Sequence, residues 1–424
     1  MKNIEIKGID ETIYYDECDN GLKIYMWVND KVNTTHMSLA VKYGSIHSEF
    51  NIDGKDYYTP PGSAHFLEHV KFNEDANTTA HDFFHKSGAD VNAFTTFDFT
   101  CYYVTAMENI NENLTHLLDF VQKNYFTKAL VDKEKGIILE EEKMGEDNPD
   151  VINYFGILKN LMNQSNYRNL ITGNQEEIKR ITVSDMRNIF NNFYHPKNMA
   201  LFITGNFNPE ELTMVIKENQ NNRVFNDYKN PKIIREREED TVFNEKEVIK
   251  CNVGMPKVKY GIKINRNKFK KYDDFSLRLI INLLLNINFG STSDFRDHLI
   301  ENNLVTEISS SCDIYDNHLL IITSFESKYP EEVKKLVEDK FKNLEANEKD
   351  FIRKKKALIS SYILSFDNIE KVSSIMQDDY INYGDVINNV KEKYENLCID
   401  DLKDVCKLVN LDNTAVTILE ANKE

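Results

Sequence analysis

One order of elements runs through this 424-residue chain twice, and few folds accommodate that. In the first half, Leu22–Val28 and Met37–Tyr43 mix apolar runs with alternation and predict strands. Ala89–Thr95 and Phe99–Thr105, rich in β-branched and aromatic residues, predict an antiparallel pair. A helix follows, with Ile110, Leu114, Leu117, Leu118 and Val121 at helical spacing. Further helices run to about residue 165 and over Val183–Phe193, and Met199–Thr204 predicts a strand ending at Gly205. The second half repeats this: strands near 241–251 and 256–265, helices over 273–288 and 294–302, strands over 305–313 and 318–325, more helix, then a strand at Thr414–Leu419. Two α+β halves of similar size in one order predict an internal duplication. The polar, charged run 219–240 between them reads as a linker, so the expected domains are 1–218 and 241–424.

Chemistry concentrates in Gly62-Ser63-Ala64-His65-Phe66-Leu67-Glu68-His69-Val70. On a helix His65 and His69 are one turn apart and point the same way, with Glu68 on the same stripe. Two imidazoles on one face make half of a zinc site, and the carboxylate between them can take a proton from a water at the metal's open position. H-x-x-E-H is the inverzincin order, although five residues alone also fit a surface helix with two solvated histidines. The second half contains only His298 and His318 and no such pattern, so its copy carries no metal.

A third ligand is sought in Val131–Asp147. With Ile137 at 0° on a helical wheel, Ile138 falls at about 100°, Glu134 at about 60° and Glu141 at about 40°, so both glutamates lie inside the apolar sector. A carboxylate there must be paired, hydrogen-bonded or bound to metal. A third ligand and a buried structural carboxylate both satisfy that condition. Glu140 and Glu142 flank the sector and read as solvated.

The net charge, 52 − 69 = −17, argues against a nucleic-acid partner and is compatible with a basic substrate. Met1–Gly8 has no apolar h-region, and the richest apolar window, Leu277–Phe289, is interrupted by Arg278, Asn282, Asn286 and Asn288. These features predict a cytoplasmic chain with no membrane insertion. The six cysteines form no C-x-x-C pair and read as reduced thiols. His81, His85 and His116 read as surface or capping residues.

Taken together, Gly62–His69, Gly88–Thr95, Glu134–Glu141, Phe193–Pro196 and Asn198–Gly205 resemble the pitrilysin/insulinase family of zinc peptidases, in its single-length, processing-peptidase-like branch. The likeness covers nearly all of residues 20–215, and more loosely 235–424. It implies two tandem homologous α/β-sandwich domains, each a mixed, mostly antiparallel sheet with helices packed on one face. It also implies one Zn2+ per chain bound by His65, His69 and Glu141, with Glu68 as general base and Glu134 supporting the ligands. The family adds extended peptide to a sheet edge, which implies that Asn92, Ala93 and Phe94 hold substrate main chain.

The likeness is greatest to Gram-positive bacterial subunits that work beside a related chain, some of which remove leaders from or mature ribosomally made peptides. In one respect the chain departs from the family, whose second half offers an Arg and a Tyr seven residues apart. Leu299 and Thr306 stand at those positions here, with Arg296 one turn early. The expectation is therefore a zinc metalloendopeptidase acting in a heterodimer, rather than a homodimer, with a homologous subunit that supplies the pair. A non-catalytic binding or assembly subunit is the alternative.

Overall fold

The computed structural model describes residues 1–422. Its strands in chain order are β1 (Lys2–Ile6), β2 (Glu11–Glu17), β3 (Lys23–Val28), β4 (Thr35–Val41), β5 (Glu49–Ile52), β6 (Lys55–Tyr58), β7 (Asp90–Thr95), β8 (Thr100–Ala106), β9 (Met199–Gly205), β10 (Lys232–Ile233), β11 (Lys246–Cys251), β12 (Lys257–Asn265), β13 (Glu307–Tyr315), β14 (His318–Glu326) and β15 (Thr414–Ala421). Helices of the first half include α1 (Ser63–Lys71), α2 (Ala80–Ser87), α3 (Ile110–Gln122), α4 (Lys128–Glu146) and α5 (Pro149–Leu161). One sheet has the order β1-β2-β3-β9-β4-β8-β7, another β11-β15-β12-β14-β13, and a short third one β10-β5-β6.

The duplication is visible in the ladders themselves. β3 lies parallel to β9, from which β4, β8 and β7 follow antiparallel. β11 lies parallel to β15, from which β12, β14 and β13 follow antiparallel. Both sheets are therefore mixed and mostly antiparallel, as the resemblance implied.

Contacts divide the chain into two compact units interleaved in sequence. One contains Met1–Glu142, Leu170–Ile234 and Ile363–Val390; the other contains Lys143–Asn169, Arg235–Tyr362 and Lys391–Glu424. Each half thus gives one helix to the other's sheet. α5, which follows the β7–β8 hairpin, packs on β12 and β15. The helix Ile369–Tyr383, in the matching place after β13–β14, packs on β4 and β9.

In the first unit this exchange buries both faces of the sheet. Met37, Leu39 and Val41 of β4 share a core with Leu114 and Leu117 of α3. On the other face, Ser38 Oγ meets Ser373 Oγ at 2.9 Å and accepts from Gln377 Nε2 at 2.8 Å, while Tyr25 and Phe202 stack near Tyr380. Every residue of β4 is accordingly buried. In the second unit α5 lies close enough that a Cβ on Gly156 would press on Thr417, and one on Gly261 would press on Leu161.

The run 219–240 is more than solvated connection. The helix Pro209–Asn221 ends inside it, β10 pairs with β5, and Glu238 is buried. Glu238 Oε1 pairs with Lys263 Nζ at 2.5 Å, and its two oxygens accept from the amides of Asn163, Gln164 and Ser165 at 2.7–2.8 Å. The stretch around Gly54 forms the β5–β6 hairpin, with Gly54 at φ 83°.

Candidate metal centre and the edge strand beside it

Gly62 precedes α1 as its N-cap, with a φ of 87° that suits glycine, and its Cβ, if it had one, would strike the Thr172 carbonyl. Phe66, Leu67 and Val70 then turn into the core. That rotation leaves His65, Glu68 and His69 on the remaining stripe, with the two imidazole centroids 4.7 Å apart.

α4 brings the carboxylates. Its buried stripe is Val131, Glu134, Ile138 and Glu142, while Ile137 is 47% exposed. The stripe is therefore centred on Ile138, which shares a face with Val131 seven residues earlier. Glu134 stays inside it and Glu141 moves to its rim, with its side chain 47% exposed. Glu142, expected to be solvated, is buried; Glu140 is exposed as expected.

Donor atoms of His65, His69 and Glu141 lie within 4.8 Å of one another. His65 Nε2 is 3.7 Å from Glu141 Oε1, and His69 Nε2 is 3.2 Å from Glu141 Oε2. Zinc–ligand bonds of 2.0–2.1 Å at tetrahedral angles put donors about 3.3 Å apart, so two imidazoles and a carboxylate at these separations fit a zinc ion and leave a position open. Behind them, buried Glu134 lies with Oε2 3.9 Å from His69 Nδ1 and accepts from Asn73 Nδ2 at 3.2 Å. His65 Nδ1 is buried without a hydrogen-bond partner among the described residues.

Electrostatics separate the two histidines. Burial, then His69, pushes His65 down to about 4. Burial also acts to lower His69, but the hydrogen bond and charge of Glu141, with Glu68 and Glu134, outweigh it and raise its pKa. The His69 hydrogen bond holds Glu141 below the usual carboxylate range. Burial raises Glu68, opposed by a hydrogen bond from Thr95 Oγ1 to its Oε2 at 2.5 Å.

Thr95 is the last residue of β7, and β7 ends the sheet, its outer edge unpaired among the described residues. Asn92 is exposed, with its Oδ1 accepting from the amide of Ala93; Ala93 packs on the core, and Phe94 is 39% exposed. Sequence reasoning passed over Thr95 and Asn73. The signal for Thr95 is period-2 spacing, which puts it on the face of Val91 and Ala93, toward α1. His116 is no simple surface residue: its ring stacks on Phe83 at 3.8 Å and pairs with Glu74 at 3.3 Å. In the second unit Leu299 is fully buried, while Thr306 is exposed.

An inverted H-x-x-E-H helix with a third carboxylate from a later helix, set beside a free strand edge, defines the inverzincin class of peptidase site. The comparisons agree. Residues 26–173 match the model for insulinase (peptidase family M16), and 180–358 match the peptidase M16 inactive domain. The chain is 39% identical over 315 residues, 73% of each chain, to an uncharacterized zinc protease, YmfH, of Bacillus subtilis (strain 168). It is 29% identical to a second one from that strain, YmxG, over 47% of this chain and 48% of that one. A candidate M16-like peptidase from Alicyclobacillus acidocaldarius superposes with a TM-score of 0.92 at 25% identity, over 98% of this chain and all of that one. The chain belongs to the insulinase family of peptidases, family M16. No helix among the described residues is long and apolar enough to cross a membrane.

Proposed function

We propose that this chain is a zinc metalloendopeptidase that cleaves peptides held in extended form along the outer edge of β7. The convergence of His65, His69 and Glu141 beside Glu68, which Thr95 ties to that edge, carries the reading. We assign the metal-bearing role to the first half, 1–218, and a metal-free role to 241–424, with one zinc per chain held by His65, His69 and Glu141. When bound, zinc supplies Lewis acidity, which lowers the pKa of a water and polarises a carbonyl.

Glu68 takes the attacking water's proton as the carbon–oxygen bond forms, and returns it to the amide nitrogen as the carbon–nitrogen bond breaks. Glu134 holds His69 in orientation through its Nδ1. The main chain of Asn92, Ala93 and Phe94 pairs with the substrate, which fixes the scissile carbonyl in register with Glu68.

Leu299, buried in the second unit, cannot offer a polar group to substrate. An oxyanion donor is worth about 10²–10³ in rate, so we assign that role to a homologous subunit in a heterodimer, acting on small peptides or peptide precursors such as leader-bearing ones. The test is cleavage of a mixed peptide pool by the zinc-loaded chain, with Glu68→Gln as the blank. Weak cleavage by the chain alone, which Glu68→Gln abolishes while zinc stays bound, is the expected result. Equal activity in that variant overturns the assignment of Glu68, and robust cleavage by the chain alone overturns the need for a partner.

A further inference from the structure

The β7 edge has a second neighbour besides the metal cluster. On the opposite face of the sheet, between β7, β8, β4 and the helix Ile369–Tyr383, lies a cavity of 510 Å³ within the first unit. Its floor carries His36, Tyr103 and Gln377, and its rim Asp90, Phe94 and Glu370. Along β7, Val91, Ala93 and Thr95 turn toward α1, so Asp90, Asn92 and Phe94 turn toward this cavity. A peptide strand added at β7 obeys the same alternation: its residues opposite Asn92 or Phe94 project their side chains over the cavity, while their neighbours face the metal cluster.

The cavity's chemistry selects what it takes. Among the described residues it is lined by two carboxylates, Asp90 and Glu370, and by no lysine or arginine. Neither carboxylate has an ion-pair partner among the described residues. Both act on one point: burial raises the Tyr103 hydroxyl, and the charges of Asp90 and then Glu370 raise it further. His36, pushed down to about 4 by burial, adds no positive charge at neutral pH. The same cavity is lined by the rings of Phe94 and Tyr103, with centroids 6.2 Å apart. A long apolar stem ending in a cation matches aromatic rings and carboxylates lining one cavity.

We propose that this cavity is a specificity subsite that takes a lysine or arginine side chain of the bound peptide, at a position whose neighbours in sequence face the metal cluster. The assignment rests on the peptidase reading above for the peptide's presence at β7, and it adds the class of residue selected there.

Equilibrium binding tests it without turnover. Zinc-loaded Glu68→Gln chain is titrated with fluorescent peptides that differ at one position only, carrying arginine, lysine, norleucine or glutamate, the position being scanned along the peptide. At one register arginine and lysine bind on the order of tenfold more tightly than norleucine, and glutamate binds weakest. Adding Asp90→Asn and Glu370→Gln together brings the arginine peptide down to the norleucine level. Arginine and norleucine binding alike at every register, a preference that survives the double substitution, or no peptide bound at all would each overturn the subsite. Parallel assays with the wild-type chain separate the two readings. Peptides cleaved with no basic preference leave the peptidase and remove the subsite. Arginine peptides bound selectively but never cleaved, even with the homologous subunit added, leave the subsite and remove the peptidase.

Discussion

Thr95 Oγ1 donates to Glu68 Oε2 at 2.5 Å, which ties the last residue of β7, the strand at the sheet edge, to the carboxylate between the two histidines. In the proposed mechanism the bond fixes one carboxylate oxygen and leaves the other for proton transfer. A hydrogen bond to a charged group is worth about 1.5–3 kcal/mol, so Thr95→Val should lower kcat roughly 10- to 100-fold with KM and zinc content little changed, and Thr95→Ser should restore most of it. Steady-state kinetics with metal analysis decide the matter. Wild-type kcat in Thr95→Val removes the positioning role.

Two glutamates one heptad apart on α4 should separate by their effect on metal. Glu141 offers a ligand atom, whereas Glu134 approaches His69 from behind at 3.9 Å. Glu134→Ala should weaken zinc roughly 10- to 100-fold, and Glu141→Ala should weaken it further. Competition with a chromophoric chelator measures both. Metal removal should also lower the melting temperature of the wild-type chain, since free zinc at about 1,000 times its Kd adds about 4 kcal/mol. Equal zinc affinity in the two variants would reverse the assignment.

What could be read from sequence follows the range of the interactions. His65, Glu68 and His69 stand within one helical turn, and Glu134 and Glu141 two turns apart, so local periodicity finds them. Choosing between Ile137 and Ile138 as the centre of α4's stripe needs the neighbouring element, because adjacent residues cannot both lead one stripe. Thr95 escapes for a similar reason: its partner is fixed by the register of β7 against α1. Amphipathic spacing says that α5 and the helix Ile369–Tyr383 each bury a face, and is silent on whose sheet receives it. Glu238 is hidden most deeply, because a buried carboxylate inside a charged run has the same letters as a solvated one.

That carboxylate leads to a stability prediction. Lys263 Nζ pairs with Glu238 and also donates to the carbonyls of Leu161 and Thr241 at 3.0 and 2.9 Å, all within the second unit. Removing one partner of a buried pair strands the other, at about 3–5 kcal/mol. Glu238→Ala should therefore destabilise by that order in urea titration, and Lys263→Met with Glu238→Leu should recover much of the loss. Burial acts to raise Glu238, but the Asn163 amide, Lys263 and the other amides bring it down to about 2. A lowered carboxylate contributes stability above its ordinary pKa of 4.5 and loses it as pH falls toward about 2. The wild-type advantage over Glu238→Ala should fade across that window.

Asp379 should behave in the opposite sense. On the helix Ile369–Tyr383, its Oδ2 accepts from the Ile387 amide at 2.9 Å. Burial pushes its carboxyl up to about 7; the amide opposes the shift and the charge of Asp378 adds to it. The folded state therefore holds a proton on Asp379 at pH values where the unfolded chain, titrating near 3.8, has lost it. Stability from this group is complete below 3.8 and drains away as pH rises to about 7, an interval worth about 4 kcal/mol at 1.36 kcal/mol per pKa unit. Asp379→Asn keeps an oxygen to accept from Ile387 and cannot ionise. It should exceed wild type in stability at pH 8, by up to that order, and converge with it near pH 4. Denaturation midpoints at the two pH values read the difference. A constant gap between variant and wild type would mean that Asp379 ionises as freely in the folded chain as in the unfolded one.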